Sequence, residues 1–537
     1  MKRGLVLGAV FLLGLGALFL SYRHKTQTQH QPRNVLRTNL MREIITFDPR
    51  IADDSDSLQM DYWLYAGLTS LDEKGNAKLD LAESYTLSED QKSYVFTLKD
   101  AHWSDGSPLT AYDFEESWKE YCSEQFPASL WQMVSMIENN RNKKEDKREA
   151  VGIRAVDAKT VAIQLEYPIS YFLQLLAHPA LFPVHHSMRG SFQQNRRIDP
   201  AAIVCSGPFK IGSYRDNFEI ALEKNPHYHN ASRIALEGIH LSRVTDAQTT
   251  LALFEKGELD WLGLPLSELP LDALPALQKK GLLGVHPLLD SRFLYFNTQK
   301  YPLTNVNLRK ALTLAINREA IIKDVMHAGQ IAALGYVPFA QKQEEWHPYF
   351  KDHDESLARE LFQKALEELH IASADALPEI VLSYNTSDMW RRVMQAIQEQ
   401  WRQVLGISVK LENADWQIHM DRLRRGHYQI ARCGRTADFV DSLAFLQALL
   451  SFNTGQNFCR WENGEYDKLI LSSERVRSLE ERRECLEKAE RLMMEEMPIA
   501  PLMYFTAYSL AREDLKGVVV SPLYYVDFSK AYFDKKT

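Results

Sequence analysis

The sequence has 537 residues, with 63 Lys and Arg, 71 Asp and Glu and five Cys, and it is 45% hydrophobic and 25% charged. These proportions are typical of a folded protein, and the length predicts about three domains. They exclude a disordered or collagen-like chain, and so few cysteines exclude a disulfide scaffold. Only one stretch is apolar enough to span a bilayer, which excludes a polytopic membrane protein.

The N-terminus has the composition of an export signal. Lys2 and Arg3 precede an uncharged apolar run over residues 4–20, so residues 1–20 predict a signal peptide or membrane anchor, and residues 21–34 are polar and predict a tether. Positive charge before an apolar core sends the following chain across the inner membrane. A cleavage site is hard to place, so an uncleaved anchor and a cleaved signal both stay open. In either case we expect a periplasmic body, with tethering to the inner membrane if the segment is retained.

The charge balance disfavours polyanionic partners. Residues 1–32 hold four of the 63 basic residues and no acidic one, which leaves 59 basic against 71 acidic residues and a formal charge of −12 for the body. We therefore expect no nucleic acid as a partner.

Strand-like and helical stretches alternate along the body. The pair Asp105–Gly106 predicts a tight turn, and Thr110 predicts the start of a helix. Period-two and period-3.6 patterns add further elements. The predicted strands are 93–100 and 161–167, and the predicted helices are 308–326, 355–370 and 474–497, the last ending before Pro498.

Familiar catalytic signatures are missing. The chain has no Walker phosphate loop, no G-x-S-x-G elbow, no H-E-x-x-H and no Ser with a Lys three residues on. We interpret the adjacent His185 and His186 as a loop pair, since no third metal ligand lies nearby in the sequence. The sequence therefore predicts neither an enzyme nor a metal or cofactor.

Five segments carry a more specific signal. They include the run WSDGSPLTAYDF (103–114), the piece NPHY (225–228) and the piece LRKAL (308–312). Together they resemble the peptide-binding family of extracytoplasmic solute-binding proteins of ABC importers (family 5), in the family's order and spacing. The segments are residues 45–68, 94–118, 205–228, 296–322 and 406–439.

The resemblance implies an α/β fold: a two-lobed periplasmic binding protein, or Venus flytrap, with an additional third domain. Lobe I would be discontinuous, with the third domain inserted after its first segment. The implied division is 35–70, 196–291 and 504–537 for lobe I, 71–195 for the extra domain, and 292–503 for lobe II.

The resemblance also implies the function and a monomeric receptor. Short peptides would be enclosed in extended form between the lobes and delivered to permease subunits in the inner membrane. In this family a carboxylate in an Ala-Asp-aromatic sequence meets the peptide's α-ammonium, and Asp438 is that residue here. The residues alone also allow Asp438 to start a helix.

The remaining ligand-binding candidates follow from the same resemblance. Arg432 matches an Arg that meets the carboxylate end of a short peptide, and Trp416 matches an aromatic residue of the cleft, although a lobe II core position fits Trp416 equally well. Tyr504 would lie at the second crossing between lobes. The other candidates are Gly434 and Arg435 beside Arg432, and Asp54 and Ser55 on an expected edge strand of lobe I.

The sequence departs from its relatives at several cleft positions. Arg435 replaces an aromatic residue, which could favour acidic peptide side chains. Asp290 and Thr436 stand where some relatives have a disulfide, and Leu423 replaces a second Arg near the peptide's C-terminus. These changes affect the predicted preference for peptide length and side chains.

Two alternatives stay open. The first is a receptor for another solute on the same scaffold, such as a cell-wall peptide, haem or a metal chelate. The second is an exported non-transport protein that uses the same clamp, either an enzyme or an anchored chaperone.

Overall fold

The computed structural model describes most of the chain beyond residue 33. The described residues are 34–52, 54–123, 126, 133–139, 151–190, 199–216, 218–338, 347–476 and 478–534. The predicted signal or anchor (1–20) and almost all of the predicted tether (21–34) lie outside them. In the part of the chain that is described, every helix is too short or too polar to cross a bilayer.

The described elements alternate along the chain, as predicted. The strands are β1 (Val35–Asn39), β2 (Thr69–Leu71), β3 (Ala77–Leu79), β4 (Ala82–Leu87), β5 (Ser93–Leu98), β6 (Ile153–Asp157), β7 (Thr160–Gln164), β8 (Phe209–Arg215), β9 (Glu219–Lys224), β10 (Gly238–Ser242), β11 (Trp261–Gly263), β12 (Gly284–Phe296), β13 (Ile331–Ala332), β14 (Ile380–Asn385), β15 (Val409–Ala414), β16 (Ile430–Thr436), β17 (Ile499–Ala511), β18 (Leu515–Lys516), β19 (Val519–Val520), β20 (Val526–Asp527) and β21 (Tyr532–Phe533). The α-helices are α1 (Ser55–Leu64), α2 (Ala111–Tyr121), α3 (Phe172–Leu175), α4 (Ala247–Glu255), α5 (Leu274–Lys279), α6 (Val306–Leu314), α7 (Arg318–Ile321), α8 (Glu355–Glu368), α9 (Asp388–Leu405), α10 (Trp416–Arg425), α11 (Leu443–Leu446), α12 (Gly464–Ser473) and α13 (Leu479–Glu496).

Two four-stranded sheets form the N-terminal half. One has the order β1-β10-β9-β8, in which the first strand of the chain pairs in parallel with a strand about 200 residues later. The other has the order β4-β5-β7-β6 and consists of consecutive antiparallel strands. Helix α2 covers this second sheet, and it begins after Thr110, whose backbone N–H donates to Asp113 Oδ2 (2.9 Å).

The third sheet connects the lobes. Its order is β11-β17-β12-β16-β14-β15, with β13 added against β17. Strands β12 and β17 are each 13 residues long and run antiparallel, with register shifts between Pro287 and Ser291 and between Arg292 and Phe293. Both strands therefore pass without a break through 291/292 and 503/504, the positions where the sequence placed the passage between lobes.

Two predicted helices differ from the structure. The stretch 308–326 is not one helix, because the side chain of Asn317 accepts from the Ala320 N–H (2.8 Å) and starts a new helix, α7, which continues as a π-helical turn. The stretch 474–497 becomes helical only at Leu479, after the Ser478 cap. In both cases a local polar cap interrupts an otherwise continuous apolar pattern.

Gly207 tests a close approach of the backbone to the C-terminal end of helix α1. A Cβ at this position would lie 2.6 Å from the backbone carbon of Leu64 and 2.6 Å from the nitrogen of Tyr65. Backbone cannot move aside as a side chain can, so Gly207→Ala should lower the free energy of unfolding by about 2 kcal/mol. Urea unfolding followed by circular dichroism measures this.

The matched control is Gly464→Ala, at the first position of α12, where a Cβ meets no atom within 4 Å. This change should leave stability unchanged or raise it slightly. Equal stability of the two variants would contradict the close approach at Gly207.

Candidate functional site

Strand β16 has one edge without a strand partner over much of its length. On one side it pairs with β12 from Ile430 to Thr436. On the other side, the described pairing with β14 involves only Ile430 and Ala431. Residues 432–436 therefore present an open strand edge, which we call the β16 edge. Such an edge is a template for another extended chain.

Alternate residues of β16 hydrogen-bond to β12, and the residues between them direct their backbone groups to the β16 edge. The Ala437 N–H donates to the Leu289 carbonyl (2.8 Å). Because backbone groups in an antiparallel pair point alternately toward and away from the partner, the even-numbered residues Arg432, Gly434 and Thr436 direct theirs to the β16 edge. His419 Nε2 lies 2.8 Å from the Arg432 carbonyl oxygen, in agreement with this alternation.

Asp438 follows the strand at a point where distant segments of the chain meet. The next residue, Phe439, stacks on Tyr171 of the extra domain, with ring centroids 4.3 Å apart. Burial raises the pKa of Tyr62 in lobe I, and the nearby charges of Tyr525 and Asp438 raise it further. The prediction that Asp438 starts a helix is wrong, because the next helix begins only at Leu443.

The Asp438 carboxylate has one protein partner at its Oδ2 atom. Arg435 Nη2 lies 3.1 Å from it, and the side chains of Arg435 and Asp438 are 15% and 25% exposed. Each of the other two guanidinium nitrogens of Arg435 also has a partner, since its Nε donates to the Ala444 carbonyl and its Nη1 to Gln456 Oε1 (3.2 Å). No bond to Asp438 Oδ1 is recorded among the described residues, so this oxygen is available to a ligand.

Arg432 is buried in lobe II, as its strand position predicted. Its Nη1 donates to Asn385 Oδ1 (2.9 Å), and its guanidinium carbon lies 3.8 Å from the centre of the Trp390 ring. Burial, together with the positive charge of Arg292, lowers the Arg432 pKa to about 9. Arg432 Nε is buried without a hydrogen-bond partner.

A hydrogen bond joins the two positions at which the resemblance implied a disulfide in some relatives. Asp290 and Thr436 are directly opposite each other in the β12–β16 ladder, and the Thr436 hydroxyl donates to Asp290 Oδ2 (2.6 Å). Arg292 Nη2 donates to the same carboxylate oxygen (2.6 Å). The two positions are therefore adjacent, as the resemblance implied, and a polar contact joins them.

Sequence reasoning missed Arg292. This residue faces Gly434 across the ladder, and a Cβ on Gly434 would lie 2.6 Å from Arg292 Cδ. The absence of a side chain at Gly434 thus lets Arg292 lie across β16. A charged residue inside the apolar strand LLDSRFLYF was the signal that could have identified it.

Trp416 begins α10, and its side chain is 51% exposed, with its ring 6.2 Å from that of His419. The alternative that Trp416 belongs to the core of lobe II is therefore wrong.

The expected lobe I edge strand is not present at Asp54 and Ser55. Asp54 caps α1, where its Oδ1 accepts from the N–H groups of Asp56 (3.1 Å) and Ser57 (2.9 Å), and Ser55 is the first residue of the helix. The prediction of an edge strand is wrong because the Asp54 side chain satisfies the free N–H groups that a helix start exposes.

Tyr504 lies in β17 beside Ser291, at the predicted crossing. Its side chain is 2% exposed, and its hydroxyl donates to the Gly335 carbonyl (3.1 Å). The side chain is thus buried, and its expected place on a cleft surface is not seen.

The described residues offer no obvious metal centre. No three His, Cys, Asp or Glu side chains among them come together as ligands. His185 and His186 have ring centroids 3.9 Å apart and lie at the start of a 3₁₀ turn, as the loop interpretation predicted.

Comparison with known proteins finds relatives that match nearly the whole chain. The oligopeptide-binding protein OppA of Bacillus subtilis is 35% identical over 511 residues, which cover 93% of each chain. Haemophilus influenzae OppA in complex with the peptide RPPGFSPFR superposes with a TM-score of 0.80 at 25% identity, over 94% of this chain and 100% of that one. These relatives are binding proteins by name.

A third relative allows the arrangement of the lobes to be compared with an open form. The murein tripeptide binding protein MppA of Escherichia coli superposes with a TM-score of 0.82 at 25% identity, over 94% of this chain and 99% of that one. The unliganded open form of MppA gives a lower TM-score of 0.73. The lobes of the present structure are therefore arranged less like that open form.

The family model of the bacterial extracellular solute-binding proteins, family 5 (middle region), matches residues 76–457. This match spans more than half of the chain, and the superpositions extend over nearly all of the described residues. The two-lobed α/β fold predicted from the sequence is confirmed, and the chain belongs to the family 5 bacterial extracellular solute-binding proteins.

Proposed function

We propose that this chain is the substrate-binding component of an ABC peptide importer, which captures short extended peptides between its lobes and delivers them to a membrane permease. One observation carries the proposal: the open β16 edge leads directly to the Asp438 carboxylate, where lobe I and the extra domain close over it. An extended peptide with a free amino end fits both features.

The main chain of the peptide supplies affinity that does not depend on its sequence. Gly434 and Thr436 direct backbone N–H and C=O groups to the β16 edge, so a peptide strand can add to the sheet. Every peptide offers the same backbone groups at the same spacing. Side chains contribute selectivity only where they meet a protein side chain.

Asp438 receives the peptide's α-ammonium at its Oδ1 atom. An ammonium removed from water needs a negative partner, because an unpaired buried charge is very costly. Arg435 holds the other carboxylate oxygen and fixes its orientation. With the amino end at Asp438 and the peptide extending toward Arg432, the peptide runs antiparallel to β16.

Arg432 lies six residues from Asp438, or about 20 Å along an extended strand. The carboxylate end of a peptide of about five residues would reach it. Arg432 suits this role because its guanidinium is buried and its Nε atom has no hydrogen-bond partner among the described residues.

Closure follows from the two continuous strands between the lobes. We propose that β12 and β17 bend near their register shifts, so that the lobes open to admit a peptide and close around it. A peptide shifts this equilibrium only by its greater affinity for the closed form. Calorimetry with di- to pentapeptides tests the proposal, and heat with another solute but with none of these peptides would overturn it.

The proposal also covers where the protein acts, its oligomeric state and the fate of the bound peptide. The body acts as a monomer outside the inner membrane, delivered or tethered there by the N-terminal segment, and it releases its peptide unchanged. N-terminal sequencing of the mature protein distinguishes a cleaved signal from an anchor. Mass spectrometry of peptide after incubation should recover the intact mass, and cleavage products would favour an enzyme.

Asp438→Asn should weaken the binding of a free pentapeptide by about thirtyfold or more, because truncating one member of an enclosed charge pair costs about 2 kcal/mol or more. Isothermal calorimetry measures the change. Asp421→Asn removes an exposed carboxylate that pairs with Arg425 and should bind as the unaltered protein does. Unchanged affinity in Asp438→Asn would exclude the ammonium role.

Binding of a free-amine peptide should weaken as the pH rises through the amine pKa of about 8, because the bound form is the ammonium. Stabilising the ammonium raises its pKa in the complex, so affinity is full below this pH and is lost above it. Calorimetric titrations between about pH 6.5 and 8.5 measure this trend. An N-acetylated peptide should show no such trend, and equal trends for both peptides would contradict the assignment.

N-methylation of successive peptide amides should weaken binding at every second position. A strand directs alternate amides to its neighbour, so only these lose a hydrogen bond to the β16 edge when methylated. Competition binding with a series of singly methylated pentapeptides reads out this period. Uniform tolerance along the series would contradict strand addition.

A further inference from the structure

The β12–β16 ladder encloses more positive than negative charge. On one face of the ladder lie the guanidinium groups of Arg292 and Arg432 and the single carboxylate of Asp290. Burial raises the pKa of Asp290, even though both arginines oppose this, so its negative charge is itself disfavoured. At least one positive charge is therefore unmatched on this face.

The polar atoms of this cluster are incompletely satisfied. Arg292 Nε, Arg432 Nε and Asp290 Oδ1 are buried without a hydrogen-bond partner. Buried groups of this kind are normally paired, and an orphaned guanidinium N–H is a donor that awaits an acceptor. Two such donors and an unmatched positive charge are the complement of a carboxylate.

Arg292 is held in place for such a ligand. Its guanidinium carbon lies 4.7 Å from the centre of the Phe505 ring, and its side chain crosses β16 at Gly434. It is 16% exposed, so a ligand can reach it. The loop of lobe I that contains Tyr524 lies near Arg292. Burial raises the Tyr524 pKa, and the positive charge of Arg292 lowers it.

Arg292 and Arg432 lie at different positions along the proposed peptide path, so they would meet different parts of the peptide. Gly434, over which Arg292 lies, is two residues nearer to Asp438 than Arg432 is. When the carboxylate end of an extended peptide reaches Arg432, a preceding residue of that peptide lies beside Gly434. Directly opposed residues of antiparallel strands share a face, so this residue directs its side chain toward Arg292.

We propose that Arg292, supported by Arg432, forms a subsite for an acidic side chain of the bound peptide. The inference rests on the proposed peptide-binding function and names a preferred class of substrate: short peptides with Asp or Glu at the position beside Gly434. Sequence reasoning placed an acidic preference at Arg435, but the three guanidinium nitrogens of that residue already have protein partners.

The test uses alanine pentapeptide amides with a single Glu or Gln at each position from the second to the fifth, so that the side chain is the only carboxylate. In the unaltered protein, Glu should bind at least tenfold more tightly than Gln at one position. In Arg292→Gln this preference should fall to about twofold, while the Gln peptide keeps its affinity. Arg425→Gln, which removes an exposed arginine paired with Asp421, should keep the preference.

A second variant and a second peptide series protect the conclusion. Gly434→Ala displaces Arg292 without removing it, and it should reduce the preference for Glu as well. The Gln peptides with a free C-terminal carboxylate test whether Arg292 binds the peptide's C-terminus and not an acidic side chain. If Arg292→Gln removes discrimination between acid and amide ends but not between Glu and Gln, the arginine serves the C-terminus and the proposal is wrong.

Two failures are distinguishable. Binding of all peptides without any preference for Glu would overturn the acidic subsite and leave the peptide-binding function standing. Absence of binding by every peptide, with the protein folded, would overturn the function and the subsite together.

Discussion

The open edge of β16 is the constraint on which the candidate site depends. Strand β12 holds β16 in register along its whole length, whereas the described pairing with β14 stops after Ala431. The same strand β12 also runs into lobe I beside β17, so the sheet that offers the free edge also links the lobes. In the proposed closure the lobes bury this edge, and an extended peptide satisfies the backbone groups that closure would otherwise leave unpaired.

The two ends of that edge differ in charge. Arg435 pairs with Asp438 at one end and leaves one carboxylate oxygen available. Toward the other end lie Arg292, which pairs with Asp290, and then Arg432, whose described hydrogen bond goes to the neutral side chain of Asn385. The first end suits a cation and the second suits an anion. A peptide in its ionised form has this same polarity, so the protein can orient peptides of unrelated sequence in one direction.

The sequence predicted the fold further than it predicted the site. Motifs such as WSDGSPLTAYDF encode a turn and a helix cap through local chemistry, and the structure has both. Arg432 was placed correctly because a strand pattern fixes which residues point inward. Asp54 was misplaced because a carboxylate before a helix is also a good cap, and Arg292 was missed because its role depends on the absent side chain of Gly434 across the ladder. Such cross-strand relations need the register, which no local pattern supplies.

The crystal structure of the protein with a bound pentapeptide tests the central claim most directly. The account predicts that the peptide lies antiparallel to β16, with its backbone hydrogen-bonded to Gly434 and Thr436 and its amino nitrogen within about 3 Å of Asp438 Oδ1. A peptide bound elsewhere, or one whose amino end faces solvent while Asp438 keeps only its contact with Arg435, would contradict it.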